Sequence, residues 1–382
     1  MMNLKLKQEK ARRYSGNNLG LHCHCAEDKE HFLELLRRAK AENVGILIVN
    51  NYKSLKLYSK VLPTLTNEEL KEFERIKMLP SIEMPGAFKY TNLDGQTYNI
   101  ETHILGYGVD LDKEQLLEEF TALKYKSLNQ EEELQRLIAI GHKIGLNFND
   151  EDCYLDPSDD NRKFAGRAFT QGLMKHMDDN FCKEGEENKN KLPFELRSNW
   201  RAFQNRCVKD LNSPFYLDVA MLNPDVTEVI DLIHRMGGRA YLAHPSSYFA
   251  KVGTKSDIKK AFDNTIKFTR DFMKVFSPKV NPGCHIDGVE VYHPSYLENM
   301  EVTSEIKEIA KAHKLSTSGG TDIHVDKTLG QHETVASDSL GGRIKKGKLG
   351  NFRFMRRKSK GLIALKELVL NMLKKPEGPE FE

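Results

Sequence analysis

The sequence predicts an α/β fold of the barrel type, and three observations favour it. Helical periodicity over residues 32–40 leads through Asn43 into an apolar strand at residues 46–49, a strand–helix rhythm typical of such folds. A histidine or an acidic residue follows several short apolar runs, as His244 follows residues 239–243, and α/β barrels carry their catalytic residues at these strand ends. At 382 residues the chain is longer than a typical domain with a single hydrophobic core, but this length suits one barrel with an insertion.

Further apolar runs predict the other strands of the barrel, which are expected at residues 78–83, 101–106, 239–243, 288–293 and 316–324. A polar, hairpin-like turn at residues 91–95 separates the first two, and a helix over residues 226–234 precedes the third. From residue 114 to 214 the pattern is helical and charged, which we interpret as an inserted subdomain. The chain is accordingly divided into barrel residues 1–113, the insertion 114–214, barrel residues 215–335 and a basic C-terminal segment 336–382.

Composition excludes some classes of protein. Hydrophobic residues make up 39% of the chain and charged residues 30%, which is ordinary for a globular protein. The apolar runs, such as residues 45–49, are too short to cross a bilayer, and the Lys/Arg-rich beginning has no apolar h-region. We therefore expect a cytoplasmic protein with no membrane contact and with reduced cysteines. Cys23 and Cys25 alternate with the nearby histidines and are expected to fill the core.

Two pairs of residues have the spacing of metal ligands. These are His22 with His24, and Asp322 with His324. Alternate residues of a strand point to one face, so each pair aims two ligands at one point.

Glu83, His103 and His244 each lie beside a short apolar run and complete a set of candidate ligands. Imidazole and carboxylate suit Zn, Mn or Fe, and a carboxylate can bridge two such ions. Any one of these histidines alone is more often a hydrogen-bonded core residue, but together they predict a metallohydrolase. Seven other histidines lack this context and are expected to be structural or exposed, namely His31, His142, His176, His234, His285, His313 and His332.

In this order the motifs resemble those of the polymerase and histidinol phosphatase (PHP) family of metal-dependent phosphoesterases, in particular its nucleotide-phosphatase and exoribonuclease branch. The resemblance covers residues 19–324 and rests on Leu-His-x-His, Ile-Glu, His-Ile-Leu-Gly-Tyr-Gly, Gly-Gly-x-Ala-x-Leu-Ala-His-Pro, Gly-Val-Glu-Val-Tyr-His-Pro and Gly-Gly-x-Asp-x-His. Residues 164–168 also resemble the Gly-Arg element of the inserted segment in that branch. The resemblance implies an irregular (β/α)7 PHP-type barrel with two or three metals at the strand ends.

The chain departs from the family pattern at two places. The family has Ser-Asp-Gly where residues 28–30 read Asp-Lys-Glu, and Thr-Asp-His where residues 50–52 read Asn-Asn-Tyr. The missing Asp and His are ligands of the third metal, so we expect two divalent ions and a lost third site. Lys29 or Lys53 would then place a positive charge near that position, and Asp28 could restore part of the ligand set.

The resemblance also implies residue roles. His22, His24, Glu83 and Asp322 would hold one metal, and His103 and His244 would share Glu83 with the other. His324, otherwise a ligand of the third metal, could contact a phosphate or protonate the leaving oxygen, so Asp322 and His324 form the catalytic group. Substrate contacts are expected from Arg167, His293, Glu290, Lys29 and Arg343. The alternatives are surface salt bridges for the two arginines and a role at the pocket rim for Glu290 and His293.

Basic residues at 5–13 and 343–360, the latter with Phe352 and Phe354, are typical of segments that follow a phosphate backbone and stack on bases. The alternative is a solvated surface loop. Three functions remain open: a metal-dependent phosphoesterase acting on nucleotides or nucleic-acid ends, a small-molecule phosphatase of the histidinol-phosphate kind, and a non-catalytic PHP module. The sequence points to no particular protein partner.

Overall fold

The computed structural model describes residues 18–41, 44–146, 148–159, 162–176, 213–249, 255–292, 300–319, 323–325 and 363–364. The strands are β1 (Asn18–Cys25), β2 (Val44–Tyr52), β3 (Lys77–Met78), β4 (Ser81–Thr91), β5 (Thr97–Tyr107), β6 (Arg239–Leu242), β7 (Gly288–Tyr292), β8 (Ser316–Gly319), β9 (Ile323–Val325) and β10 (Ile363–Ala364). The α-helices are α1 (Lys29–Ala41), α2 (Asn67–Glu72), α3 (Glu114–Lys124), α4 (Gln130–Lys143), α5 (Ala165–His176), α6 (Val226–Arg235), α7 (Lys255–Phe276) and α8 (Met300–Ala312).

The described strands form one mixed sheet that curls into a half-barrel, in the order β10-β3-β2-β4-β5-β6-β7-β8, with β1 pairing with β2 and β9. Strand β5 runs antiparallel to both β4 and β6, whereas β1 with β2, β2 with β4, β6 with β7, and β7 with β8 are parallel. The α/β class is therefore confirmed. Closure into a seven-stranded PHP barrel stays a prediction. Strand β10, inside the segment predicted only as basic, pairs with β3.

The predicted strand at residues 78–83 is two strands in the structure. Lys77–Met78 and the start of β4 pair in succession with β2, from Ile46 beside Lys77 to Tyr52 beside Glu83. Pro80 separates them, because proline has no N–H to donate to a ladder. Strand β4 then continues past Glu83 to Thr91, so Glu83 lies inside a long strand but level with the end of β2.

The hairpin predicted at residues 91–95 connects β4 to β5. The Asn92 side-chain oxygen accepts hydrogen bonds from the backbone N–H groups of Asp94 and Gln96. Gly95 has φ of 81°, a backbone conformation that favours glycine. The turn reverses the direction of the chain, so that β5 brings His103 next to the end of β6.

Helices α4 and α5, within the predicted insertion, pack on an apolar cluster of their own. Leu137 and Phe148 lie in this cluster with Phe169 and Phe215. It is distinct from the main core, which lies between the sheet and helices such as α1 and α6. The segment boundaries themselves stay predictions. None of the helices in the described part of the chain is long and apolar enough to cross a membrane.

Alternation along the strands sends successive side chains to opposite faces of the sheet. On β2, Ile46 and Ile48 contact a small interior cluster, whereas Leu47 and Val49 belong to the main core. Strand β1 follows the same rule, because Cys23 and Cys25 are buried in the main core. The opposite face of β1 carries its two histidines.

Candidate metal centre

The structure brings five of the predicted ligands together at the edge of the sheet where β1, β2 and β6 end, namely His22, His24, Glu83, His103 and His244. Four of them are at least nine-tenths buried, and His103 is about a fifth exposed. The parallel strands supply their carboxyl ends, and the β4–β5 hairpin passes the same edge. The alternation of side chains within each strand therefore orients each ligand, and the pairing of the strands brings the ligands to the same height along the sheet.

One oxygen of Glu83 faces the two histidines of β1. Glu83 Oε2 lies 3.0 Å from His24 Nε2 and 3.6 Å from His22 Nε2, and the two Nε2 atoms are 3.2 Å apart. A tetrahedral ion with bonds of about 2.1 Å separates its ligand atoms by about 3.4 Å. These three atoms therefore have the spacing of ligands around one ion.

The other oxygen of Glu83 faces a second pair of histidines. Glu83 Oε1 lies 2.7 Å from His103 Nδ1 and 3.3 Å from His244 Nε2. Each oxygen thus has its own histidine pair. This is the arrangement of a carboxylate that bridges two positions.

Partners on the far side of three histidines direct the ligand nitrogen of each ring toward Glu83. His22 Nδ1 lies 3.3 Å from Glu290 Oε1, and His103 Nε2 lies 3.3 Å from Glu101 Oε1. A neutral ring that donates to these carboxylates keeps its lone pair on the nitrogen nearest Glu83. Histidine ligands of metals are held in this way.

His244 is held by its own neighbour. Its Nδ1 lies 2.6 Å from Ser247 Oγ, and that hydroxyl is also 3.0 Å from the His244 carbonyl oxygen. When the hydroxyl donates to the carbonyl, Nδ1–H donates to Oγ and leaves the Nε2 lone pair facing Glu83. The backbone N–H of His244 donates to Glu290 Oε2 at 2.8 Å, so Glu290 connects His244 to His22.

Electrostatics couple these groups strongly. Burial by itself would raise the pKa of Glu83, but His103 and His22 hold it well below its usual range. Burial would lower the pKa of His22, yet Glu290 and Glu83 raise it well above the ordinary value. Against burial, Glu83 and Glu101 raise the pKa of His103 to about 10. The buried carboxylates thus attract positive charge, which protonated imidazoles or a cation can supply.

The donor set fits a divalent ion. His22, Glu83 and His244 each offer one ligand atom, and these atoms all lie within 4.8 Å of one another. Nitrogen with carboxylate oxygen suits Zn, Mn or Fe.

Next to Ser81 on the adjoining strand, the Asn50 amide is fully buried and has no hydrogen-bond partner among the described residues. An unpaired buried amide costs about 1–3 kcal/mol, so a polar occupant such as water would stabilise this place.

The residues at the altered third site have other contacts. Asn51 Oδ1 accepts the backbone N–H of Cys25 at 3.0 Å, and the Tyr52 ring meets the His103 ring edge-on at 5.7 Å. Lys53 has φ of 56°, and its ammonium lies over the rings of Tyr52 and Tyr125 at 5.1 and 4.6 Å. A tyrosine and a lysine thus stand beside the cluster.

Two charged residues near the start of α1 are bound elsewhere. Asp28 lies 2.6 Å from His31 Nδ1 and accepts the backbone N–H of His31, so it caps the helix. The Lys29 ammonium lies 3.0 Å from Glu69 and donates to the Thr64 carbonyl at 2.9 Å. A substrate role for Lys29 stays a prediction, and it requires this ammonium to leave Glu69.

Glu290, for which we expected a substrate contact or a place at the pocket rim, has buried protein partners in the structure, and its substrate role stays a prediction. Glu290 is fully buried and contacts His22 and the backbone of His244. The reason is strand alternation, which turns Glu290 of β7 inward. Arg167, in the first turn of α5, lies over the Phe164 ring at 5.2 Å, and its phosphate contact stays a prediction.

Four predicted residues fall on parts of the chain that the structure describes little or not at all. His293, Asp322 and Arg343 lie outside the described residues, as do the basic residues 5–13 and 343–360. The backbone of His324 lies in β9 and pairs with His24 in register.

Sequence reasoning missed several residues around the ligands. Glu101 contacts His103 and accepts from Asn223 Nδ2 at 2.9 Å. Tyr248 donates to the Ala243 carbonyl at 2.7 Å and accepts the backbone N–H of His103 at 3.0 Å. Only Glu101 had a local signal, since it lies two residues before His103 in one strand and therefore on the same face.

The chain matches no protein-family model and no curated protein. The resemblance to the PHP family therefore rests on the motifs, and membership of that family stays a prediction. Independently of any relative, the described residues contain a buried histidine and carboxylate cluster that can hold a metal ion.

Proposed function

We propose that the cluster around Glu83 is the metal centre of a phosphoesterase that acts on nucleotides or nucleic-acid ends. One observation carries the proposal, namely that the two oxygens of Glu83 face different histidine pairs at 2.7–3.6 Å. A buried carboxylate placed between two sets of nitrogen donors suits a two-ion site. Such sites are common in enzymes that cleave phosphoesters.

Two divalent ions at this position would polarise the phosphoryl oxygens and lower the pKa of water. The residues of the chain hold and orient that site. Glu290 and Glu101 fix the tautomers of His22 and His103, and Tyr248 fixes the backbone on which His103 lies. The burial of Glu83 and His22 keeps water out and strengthens each electrostatic contact.

The surroundings of His103 support an anionic, aromatic substrate. Tyr52 is 42% exposed beside His103 and can stack on a base. Lys53 is adjacent and carries a cation that can pair with a phosphate. The phosphate of a phosphorylated amino alcohol would pair with Lys53, but such a substrate has no base to stack on Tyr52. Preference for a polymer rests on residues 343–360, which are known here from the sequence alone.

The test combines metal analysis with a substrate panel. The purified full chain, loaded with Mn²⁺ or Zn²⁺, should contain divalent ions and hydrolyse mononucleotides or oligonucleotides, and a chelator should stop the reaction. Absence of bound metal would refute the proposal. Faster hydrolysis of a phosphorylated amino alcohol would favour the small-molecule phosphatase, and bound metal without hydrolysis of any substrate would favour a non-catalytic module.

A further inference from the structure

A second group of potential ligands lies where β6 and β7 begin, at the opposite edge of the sheet. His234 belongs to the last turn of α6, and His285 and Asp287 come just before β7. Each offers one ligand atom, and these atoms all lie within 4.8 Å of one another. All three side chains are partly accessible to solvent, so an ion can reach them.

The geometry of the group fits ligands around one ion. His234 Nε2 lies 3.1 Å from Asp287 Oδ2, close to the spacing of about 3.4 Å between ligand atoms on a tetrahedral ion. His285 Nδ1 lies 3.0 Å from the Pro282 carbonyl oxygen and donates to it. That contact leaves the lone pair of His285 on Nε2. The two imidazole rings have centroids 5.2 Å apart.

Asp287 is held rigidly at this place. Its backbone N–H donates to the Ala240 carbonyl at 2.7 Å, and its Oδ2 accepts the backbone N–H of Ala240 at 3.0 Å. Its carbonyl accepts from the backbone N–H of Ser316 at 3.0 Å. Asp287 is therefore fixed to both β6 and β8. Arg239 Nη1, 3.8 Å from Asp287 Oδ1, is a competing cation that is 41% exposed and therefore weakly coupled.

We propose that His234, His285 and Asp287 form a further divalent-cation site, of the kind that takes zinc. Two imidazoles and one carboxylate suit zinc better than calcium or magnesium, and water completes the coordination. Ala240, which is hydrogen-bonded to Asp287, lies near the start of β6, whereas His244 lies four residues farther along and beyond the end of that strand, a span of up to about 13 Å of extended chain. The site is thus separate from the Glu83 cluster. A bound ion would tie the end of α6 to the start of β7.

The first experiment measures Zn²⁺ binding to the full chain by equilibrium dialysis. In His285→Ala and in Asp287→Asn, one ion per chain should be lost relative to the unaltered protein. His313→Ala, which removes a histidine after the end of α8, should bind as many ions as the unaltered chain. Asp287→Asn keeps an oxygen that can accept the N–H of Ala240, so folding should persist, which circular dichroism checks. Equal Zn²⁺ content and affinity in all four proteins would overturn the proposal.

A second experiment separates this site from the proposed function. In His22→Ala/His24→Ala the Zn²⁺ beside Asp287 should remain bound, and adding His285→Ala should lower the Zn²⁺ content by one further ion per chain. Anomalous scattering from zinc-soaked crystals should place this ion beside Asp287. A double variant that binds no Zn²⁺ would overturn the inference even if the unaltered chain hydrolyses phosphoesters. Binding of the ion beside Asp287 in an unaltered chain that hydrolyses no phosphoester would support the inference and refute the proposed function.

Discussion

Glu290 and His22 are separated by 268 residues in the chain, yet Glu290 Oε1 lies 3.3 Å from His22 Nδ1 and both side chains are fully buried. The opposite nitrogen of His22 faces Glu83. Glu290 therefore determines which nitrogen of His22 carries the proton. The same carboxylate accepts the backbone N–H of His244, so one residue positions two ligands.

This contact predicts the effect of Glu290→Gln. An amide is a weaker acceptor and can turn its NH₂ toward His22, so the affinity for Zn²⁺ or Mn²⁺ should fall about 10–100-fold. Isothermal titration of the metal-free protein measures it. The control is Glu308→Gln, because the Glu308 side chain is 67% exposed on α8. If both variants bind metal as the unaltered chain does, Glu290 serves packing alone.

Removing ligands from β1 should abolish hydrolysis. His22→Ala/His24→Ala takes away two of the nitrogens beside Glu83 Oε2, so turnover should fall by orders of magnitude. Mass spectrometry of the metal content should show the loss of ions, and activity on a chromogenic phosphodiester gives the rate. Retained turnover would place the active site elsewhere in the chain.

Metal removal should also lower stability. An ion that binds only the folded state contributes about 2.7 kcal/mol when its concentration is a hundred times its dissociation constant. Chelation should therefore lower the Tm in a scanning measurement, and excess Mn²⁺ should restore it. His22→Ala/His24→Ala should show a smaller response to the chelator. An identical response in both proteins would mean that the ions stabilise the chain from another site.

The two lysines near the altered third site should behave differently. Lys53→Ala should raise the KM for a nucleotide because Lys53 lies beside Tyr52, whereas Lys29→Ala should leave it unchanged because Glu69 already pairs with Lys29. Alanine at position 53 keeps a Cβ, so the backbone cost of its φ of 56° is the same. Steady-state kinetics of the two variants, measured at equal metal content, show which lysine contributes to nucleotide binding. A higher KM in Lys29→Ala would support the substrate role predicted from the sequence.

Metal-soaked crystals test the third site directly. Because Tyr52 stands where the family pattern has a histidine, two ions should be present near Glu83 and no ion should be bound by Tyr52 or Lys29. Anomalous difference maps give the positions. Three fully occupied positions near Glu83 would contradict the expectation.

The basic segment at residues 343–360 predicts a salt-dependent affinity for oligonucleotides. Neutralising backbone phosphates releases counterions, so the logarithm of affinity should fall linearly with the logarithm of salt concentration. Replacing Arg353, Arg356 and Arg357 by alanine should flatten this slope. Hydrolysis of a small phosphodiester is the control and should change little. An equal loss on both substrates would indicate that the segment supports the fold.

Features that depend on local periodicity could be predicted from the amino-acid sequence. His22 and His24 share a face of β1 because side chains alternate in a strand, and the same rule placed Cys23 and Cys25 in the core. The polar residues 91–95 specified the hairpin through the side chain of Asn92 and the conformation of Gly95. The helix at residues 226–234 followed from its apolar spacing and appears as α6.

Contacts between residues far apart in the chain could not be predicted in this way, because they depend on the tertiary fold. The contacts of Glu290 with His22, and of Glu83 with His244, join residues 268 and 161 positions apart. Strand order and direction set these contacts, and neither leaves a local pattern. For the same reason the sequence assigned His234 and His285 no role, since their proximity to Asp287 depends on how α6 packs beside the start of β7. Local spacing orients a side chain, but the pairing of the sheet selects its neighbours.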